Sequence, residues 1–230
     1  MNDRTRFDAV LFDAGGVLVL PDPTVLVPLL APYGGSSEVE RHRRAHYAGM
    51  AAKSRTESPE GFWHEYNAAY VVSVGVADDL LEYAAIVLDR TRSAYLWRWP
   101  IPETLAALAA LASKRVPMGV VSNASGQVEA ELRRGGICQT GSGPGAEVRV
   151  VVDSHVVGVA KPDPEIFDHA LVHFADFDLD RIAYVGDSVT MDIASSTAAG
   201  LHPVLIDPYD DHVGADFERI STVEHIVDWF

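Results

Sequence analysis

Four polar positions in this sequence follow hydrophobic, strand-like runs, and their side chains have complementary chemistry. They are Asp13, the pair Ser122 and Asn123, Lys161, and Asp187. Carboxylates can bind a cation or attack an electrophilic centre, whereas an amine, a hydroxyl and an amide can bind an anion. Each position alone is typical of a turn residue or a helix cap. Four together at equivalent places predict one polar site.

The elements that must position these residues alternate along the chain. Mostly apolar runs predict buried strands at 9–12, 118–121, 148–152, 182–185 and 203–206. Helical patterns occupy the segments between the later runs. This order predicts an α/β fold with a doubly wound, mostly parallel, Rossmann-like sheet. Ligands bind outside the carboxyl ends of strands in such sheets, so the four polar positions should converge.

The segment between residues 21 and 99 has a different pattern. Helical periodicity dominates it at 25–31, 38–53, 59–72 and 78–96, with Gly, Pro and Ser at the breaks. No strand-like alternation separates these helical patterns. The sequence therefore predicts a discontinuous core formed by residues 1–20 and 100–230, and an inserted α-helical cap domain at 21–99.

The charge balance of the chain limits its partners. The sequence has 33 acidic and 18 basic residues, for a formal net charge of -15. Such a surface repels nucleic acids and anionic membranes, so neither is an expected partner. A small anionic substrate would feel the same repulsion, and its binding site must therefore supply positive charge locally.

The single cysteine, Cys138, excludes an intramolecular disulfide and suits a reducing compartment. Asp13 interrupts the apolar stretch near the start, which argues against a signal peptide. No uninterrupted apolar run in the sequence approaches the length of a membrane span. A cytoplasmic location is the expectation from these features.

Four ordered motifs resemble those of the haloacid dehalogenase-like (HAD) hydrolases. They are VLFDAGGVL at 10–18, VSN at 121–123, KPDPEIF at 161–167, and GDS at 186–188 with Asp192. The helical insert also lies where that family has its cap, between the first and second motifs. The resemblance covers the first strand and nearly all of residues 102–208, and the ordered set is more specific than any one motif.

The resemblance implies a Mg²⁺-dependent phosphatase that acts on a small phosphate ester. Asp13 would attack phosphorus and form an aspartyl-phosphate, which divides one difficult step into two easier ones. The resemblance also implies Mg²⁺ ligands from Asp13, Asp187, Asp192 and the backbone carbonyl of Gly15, since this hard cation prefers oxygen. Without a cation, the clustered carboxylates would raise one another's pKa and weaken the nucleophile.

The remaining motif residues are expected to bind the phosphoryl group. Lys161 would add a positive charge that also helps to keep Asp13 ionised. Ser122 Oγ, Asn123 and the backbone N–H groups that follow Ser122 would hold the phosphoryl oxygens as charge shifts during transfer. These groups would supply the positive field that the acidic surface lacks.

Gly15 departs from the family pattern, because phosphatases of this family usually have a second Asp there as general acid and base. Such a group contributes about 10²–10⁴ in rate. The chain could be a phosphatase that uses water, a good leaving group or a cap residue instead. It could resemble 2-haloacid dehalogenases, although those need no metal ligand such as Asp187. It could resemble phosphonoacetaldehyde hydrolases, with Lys53 as the Schiff-base lysine, or be a weakly active or non-catalytic protein that binds phospho-ligands.

Overall fold

The computed structural model describes residues 5–58 and 61–230, and within them the central element is a six-stranded parallel sheet. The strands of the chain are β1 (Ala9–Phe12), β2 (Val19–Pro21), β3 (Trp97–Pro100), β4 (Met118–Ser122), β5 (Cys138–Thr140), β6 (Ala146–Val148), β7 (Val151–Asp153), β8 (Ile182–Gly186), β9 (His202–Ile206) and β10 (Glu218–Ile220). The sheet order is β10-β9-β8-β1-β4-β7, and each neighbouring pair is parallel. The predicted doubly wound α/β class is confirmed.

The sheet is covered on both faces, and β1 lies at its centre. The helices of the chain are α1 (Pro23–Leu30), α2 (Val39–Arg55), α3 (His64–Ser73), α4 (Leu81–Thr91), α5 (Pro102–Ser113), α6 (Val128–Arg134), α7 (Ser154–Val157), α8 (Asp168–Leu171) and α9 (Ala194–Ala198). Val10 and Phe12 of β1 face one hydrophobic cluster, whereas Ala9 and Leu11 face the other. Burial on both faces explains why β1 is a continuous apolar run.

The predicted strand at 148–152 is divided in the structure. Val148 ends β6, which pairs with β5 outside the main sheet, whereas Val151 begins β7, which pairs with β4. Between the two strands, the N–H of Arg149 donates to the carbonyl of Met118. The local sequence could not reveal this change of partner, because valines stand on both sides of Arg149.

The segment of inserted helices, α1 to α4, has its own hydrophobic cluster, which includes Leu26, Tyr66, Tyr70 and Leu88. The four predicted helical patterns correspond to these four helices in the described part of the chain. Residues 59 and 60, where the third pattern begins, lie outside the described residues. Asp22 caps α1 by accepting a hydrogen bond from the N–H of Thr24 at 2.8 Å, and Pro23 occupies the first turn.

A two-stranded ribbon joins the inserted helices to the core, which the sequence did not predict. β2 pairs antiparallel with β3, so that Val19 lies opposite Pro100 and Leu20 lies opposite Trp99. A register shift follows, because Pro21 pairs with Trp97. The two ends of the insert are thereby neighbours in space. Among the described residues, no helix has both the length and the apolar character of a membrane span.

Helix α2 makes the main polar contacts between the inserted helices and the core. Arg43 pairs with Glu103 of α5 at 2.8 Å, and Arg44 pairs with Asp211 at 2.7 Å. The hydroxyl of Tyr47 donates to the carbonyl of Gly16 at 2.7 Å. A basic run such as residues 41–44 is, from sequence alone, typical of a solvated helix face. Only the tertiary fold shows that two of its members hold the insert against the core.

Two buried histidines of α2 bind two buried tyrosines of α3. The Tyr70 hydroxyl lies 2.8 Å from His42 Nδ1, and the Tyr66 hydroxyl lies 2.9 Å from His46 Nδ1. His42 Nε2 faces the Ser36 carbonyl and His46 Nε2 faces an Asp187 carboxylate oxygen, both at 2.8 Å. Those oxygens accept, so each Nε2 carries a proton. Burial lowers the pKa of both histidines, so both imidazoles are neutral near pH 7 and each Nδ1 accepts from a tyrosine hydroxyl.

The protein should lose stability between pH 6.5 and pH 5 because these histidines must stay neutral. Burial lowers the pKa of His46 to about 3 and also lowers the pKa of His42. An unfolded histidine has a pKa of about 6.5, so falling pH favours the unfolded state. The free energy of unfolding should fall by up to about 1.4 kcal/mol per pH unit for each histidine. Urea unfolding at several pH values measures this slope, which should be flatter in a His42→Asn/His46→Asn variant.

Candidate active site

The four predicted positions converge at the carboxyl edge of the sheet. Asp13 directly follows β1, Ser122 ends β4, and Asp187 directly follows β8. Lys161 lies on the loop that follows α7, and its Nζ is 3.0 Å from Asp13 Oδ1. Because β4 and β8 both pair with β1, these side chains are brought together by the sheet itself.

Asn123 positions Lys161 through its backbone. The Asn123 side chain donates to the Lys161 carbonyl at 2.9 Å and accepts from the Lys161 N–H at 2.8 Å. This pair of hydrogen bonds ties the loop of Lys161 to the end of β4. The Asn123 amide, predicted as part of the phosphoryl-binding group, is thus engaged with protein backbone, although the residue lines the same cavity as Asp13.

Lys161 is buried, with 2% of its surface exposed, and contacts three oxygens. Besides Asp13, its Nζ lies 2.7 Å from Asp192 Oδ1 and 2.9 Å from the Tyr184 hydroxyl. Burial alone would lower its pKa, but the charges of Asp13 and Asp192 raise that pKa above its ordinary value. Lys161 therefore remains protonated at neutral pH and places the predicted positive charge beside Asp13.

Asp192 supports its neighbours with both carboxylate oxygens. Oδ1 accepts from Lys161 and, at 2.9 Å, from the Tyr184 hydroxyl, whereas Oδ2 accepts from the N–H groups of Asp187 and Ser188 at 3.1 and 2.9 Å. A carboxylate offers about four acceptor positions. Direct ligation of a metal by Asp192 would therefore replace one of these hydrogen bonds.

The acidic cluster fits a hard divalent cation. Ligand oxygens of Asp13, Asp187 and Asp192 all lie within 4.8 Å of one another. Gly16 allows this approach, because a Cβ at Gly16 would lie 1.9 Å from Asp187 Oδ2. An all-oxygen donor set of this kind is the type that Mg²⁺ binds. The sequence singled out Gly15 at this turn, but Gly16 is the position that a side chain could not occupy.

The pKa of the Asp13 carboxyl group is strongly raised. Burial raises its pKa to about 7, Asp192 and Asp187 raise it as well, and Lys161 opposes the change. Lys161 therefore offsets only part of the cost of placing this charge beside two other carboxylates. A cation bound at the cluster would supply the remaining compensation.

A cavity of about 480 Å³ opens in front of Asp13 and extends beneath the inserted helices. The insert contributes His46, Met50, Trp63 and Arg92 to its lining, and Trp97 of β3 lies beside them. No local motif of the sequence places Met50, Arg92 or Trp97 at this site, because each reaches the cavity only through the packing of the insert on the core.

The comparisons with known proteins agree with this geometry. A family model described as haloacid dehalogenase-like hydrolase matches residues 7–200. The chain belongs to this family. It is similar to the pyrimidine 5'-nucleotidase YjjG of Escherichia coli (strain K12), with 32% identity over 103 residues. The match covers 44% of this chain and 42% of that relative, so the chain spans less than half of the relative's length.

Solved structures of this HAD family share the fold. A HAD phosphatase from Thermococcus onnurineus is 20% identical with a TM-score of 0.56, and 95% of each chain is covered. A 2-haloacid dehalogenase from Pseudomonas syringae pv. Tomato DC3000 is 22% identical with a TM-score of 0.55, and 97% of each chain is covered. At this identity the likeness establishes the fold. HAD hydrolases of both kinds, phosphatases and dehalogenases, are among the relatives of this chain.

Proposed function

We propose that this HAD hydrolase is a Mg²⁺-dependent phosphatase that acts on a small phosphate ester through an aspartyl-phosphate at Asp13. The contact between Asp13 and the buried Lys161, beside Asp187 and above a cavity of about 480 Å³, carries the proposal. Cleavage of a C–halogen bond requires neither a metal ion held by Asp187 nor positive charge that binds a phosphoryl group. Similarity to a pyrimidine 5'-nucleotidase also favours phosphate ester hydrolysis.

The residues of the site divide the reaction between them. An Asp13 oxygen attacks phosphorus, the P–O bond to the leaving group breaks, and water then hydrolyses the aspartyl-phosphate. Lys161 and Ser122 bind phosphoryl oxygens, and Asn123 holds Lys161 in place through its backbone. Bound Mg²⁺ would reduce the repulsion between Asp13 and the phosphoryl group.

Asp13, Asp187 and the backbone carbonyl of Gly15 are the proposed direct ligands of Mg²⁺. Asp192, with both oxygens already hydrogen-bonded, is assigned the role of orienting Lys161 and the backbone at Asp187. His46 orients the Asp187 carboxylate from the inserted helices. Partners of this kind determine ligand geometry although they do not touch the metal.

His46→Leu should weaken Mg²⁺ binding by about 10–100-fold, because Asp187 would lose the hydrogen bond that orients it. His42→Leu is the matched control, since His42 has the same helix and the same kind of tyrosine partner but contacts a backbone carbonyl instead of Asp187. Calorimetric titration with Mg²⁺ measures both affinities. Equal losses in the two variants would show that the effect is general damage to the insert.

A substrate panel tests the proposed reaction directly. Phosphate esters, including pyrimidine 5'-nucleotides, 2-haloacids and phosphonoacetaldehyde are each incubated with Mg²⁺ and either wild type or Asp13→Asn. Release of phosphate from an ester by wild type alone supports the proposal, whereas release of halide or acetaldehyde assigns one of the alternatives. Lys53 is an unfavourable Schiff-base residue, because it is not among the residues that line the cavity of Asp13 and its Nζ stacks 4.1 Å above the Trp63 ring centre.

Residues 21–99 are proposed to form a cap domain that excludes water from the reaction and selects the substrate. Replacing them with a short linker should leave a folded core, because the insert adds no strand to the parallel sheet and its ends already meet in the β2–β3 ribbon. Circular dichroism and urea unfolding test the shortened chain. A chain without a cooperative transition would contradict an independent cap, and added detergent would show whether exposed apolar surface caused the failure.

A further inference from the structure

Two tryptophan rings and one guanidinium group form a wall of the cavity that Asp13 lines. The ring centres of Trp63 and Trp97 are 5.8 Å apart and their planes are inclined by 51°. The Arg92 guanidinium carbon lies 3.9 Å from the ring centre of Trp63 and 5.5 Å from that of Trp97. All three side chains line the same cavity as Asp13.

The wall is held in place from behind by the inserted helices. Arg92 donates a hydrogen bond to the Asn67 side-chain oxygen, and the Asn67 amide donates to Asp89 at 3.0 Å. Trp63 also packs edge-on against the buried ring of Tyr66, with centres 5.2 Å apart. These contacts fix Trp63 and Arg92 before any ligand arrives, so a ligand that stacks against the wall orders few side chains.

Trp97 occupies the space beside Gly15. A Cβ at Gly15 would lie 3.2 Å from Trp97 Cδ1 and 3.3 Å from Trp97 Nε1. The indole edge is therefore in van der Waals contact with the position from which a general acid would project in related phosphatases. The side of the cavity next to Gly15 is therefore aromatic, whereas related phosphatases have a carboxylate at this position.

The register shift in the β2–β3 ribbon explains how Trp97 reaches this place. Two residues that are two positions apart in a regular strand face the same side. Trp97 lines the cavity of Asp13, whereas Trp99 lines a separate cavity of about 260 Å³ that also contains Pro21 and Ile101. The irregularity between Leu20 and Pro21 lies opposite this pair of tryptophans. Bulges of this kind redirect a side chain next to a functional site.

We propose that Trp97 and Arg92 form a subsite for a flat, unsaturated group of the substrate, such as an aryl ring or a nucleobase. Trp63, whose ring already stacks with Arg92 and Lys53, supports this subsite from behind. The proposal rests on the phosphatase function proposed above and specifies its substrate class. Aromatic faces and a guanidinium plane bind flat π-systems by stacking, which a saturated ring of similar size cannot reproduce. The wall thus selects the organic part of the ester while Asp13 and Lys161 engage its phosphoryl group.

Two phosphonates that cannot be hydrolysed as esters test the subsite by binding alone. Benzylphosphonate and cyclohexylmethylphosphonate have the same charged group and differ in the flatness of the ring. In the presence of Mg²⁺, wild type should bind the benzyl compound about 3- to 10-fold more tightly in calorimetric titrations. Equal affinities in wild type, or no measurable binding of either compound, would overturn the proposal.

Variants of the ribbon assign the preference to Trp97. Trp97→Leu should reduce the affinity ratio to about 1, whereas Trp99→Leu, which alters the separate cavity, should leave it unchanged. Trp97→Phe retains a smaller flat ring and should show an intermediate ratio, which keeps the test decisive if Trp97→Leu does not fold. A wild-type ratio in either Trp97 variant would overturn the assignment.

Substrates separate this proposal from the proposed reaction. Benzyl phosphate, cyclohexylmethyl phosphate, cytidine 5'-monophosphate and ribose 5-phosphate form two pairs that differ in a flat group. Hydrolysis with a preference for the benzyl ester alone places the flat group at the leaving oxygen, and a preference for the nucleotide alone places it farther away. A phosphonate preference without hydrolysis of any ester would contradict the phosphatase function and leave the subsite supported. Hydrolysis of the esters without any preference for flat groups would support the phosphatase function and contradict the subsite.

Discussion

Aryl phosphates should be hydrolysed about 10²–10⁴ times faster than primary alkyl phosphates of similar size, as a ratio of kcat values. The displacement at phosphorus depends on Asp13 and Lys161, which are both in place. Protonation of the departing oxygen is the step that lacks its usual proton donor, because Gly15 provides no carboxyl group. A phenolate leaves without a proton, whereas an alkoxide needs one. Steady-state kinetics with phenyl phosphate and benzyl phosphate, which share a flat ring, measures the ratio.

Gly15→Asp should accelerate the alkyl ester selectively, and Gly15→Asn is its matched control. The φ angle of Gly15 is not among the positive values, unlike that of Gly16 at 68°, so the backbone accepts a side chain. The Trp97 edge must move by a few tenths of an ångström to make room, since a Cβ would approach it to 3.2 Å. Asn has the same shape but cannot transfer a proton. Equal aryl and alkyl rates in wild type, with chemistry rate-limiting, would mean that another group donates the proton.

Lys161→Met should lower the free energy of unfolding by about 3–5 kcal/mol in the absence of metal. The substitution keeps most of the side-chain volume but removes the cation between Asp13 and Asp192, whose carboxylates would remain buried. The Asp13 pKa, already raised to about 7 mainly by burial, would rise further. Phosphatase activity should be lost for the same reason, because a protonated Asp13 cannot attack phosphorus.

The double variant Lys161→Met/Asp192→Asn separates charge from packing. Removing one of the two buried charges should recover part of the lost stability, although activity should not return. Urea unfolding with a chelator present measures all three proteins. If the single variant were as stable as wild type, the ion pair would contribute little and Lys161 would be replaceable in the folded core. If the double variant were no more stable than the single one, lost packing would be the cause.

The elements of the insert differ in how far apart in sequence their pairing residues lie. Helices α1 to α4 were predictable because 3.6-residue periodicity is a local signal. The β2–β3 ribbon was not, because Val19–Pro21 and Trp97–Pro100 are short and distant in sequence. Strand β10 was missed for a similar reason, since Glu218–Ile220 is a short edge strand with two polar residues.

The sequence by itself determined the parallel sheet and the convergence of Asp13, Ser122, Lys161 and Asp187. Buried parallel strands are continuous apolar runs, and the residues after them must meet at one edge. Only the tertiary structure decided which side chains of the insert face that edge. His46 follows the basic run at 41–44 in the sequence. Its hydrogen bond to Asp187 depends on how α2 packs on the core. Trp97 reaches Gly15 only through a register shift in a ribbon between distant segments, and the orientation that such a shift produces is not encoded in any local pattern of residues.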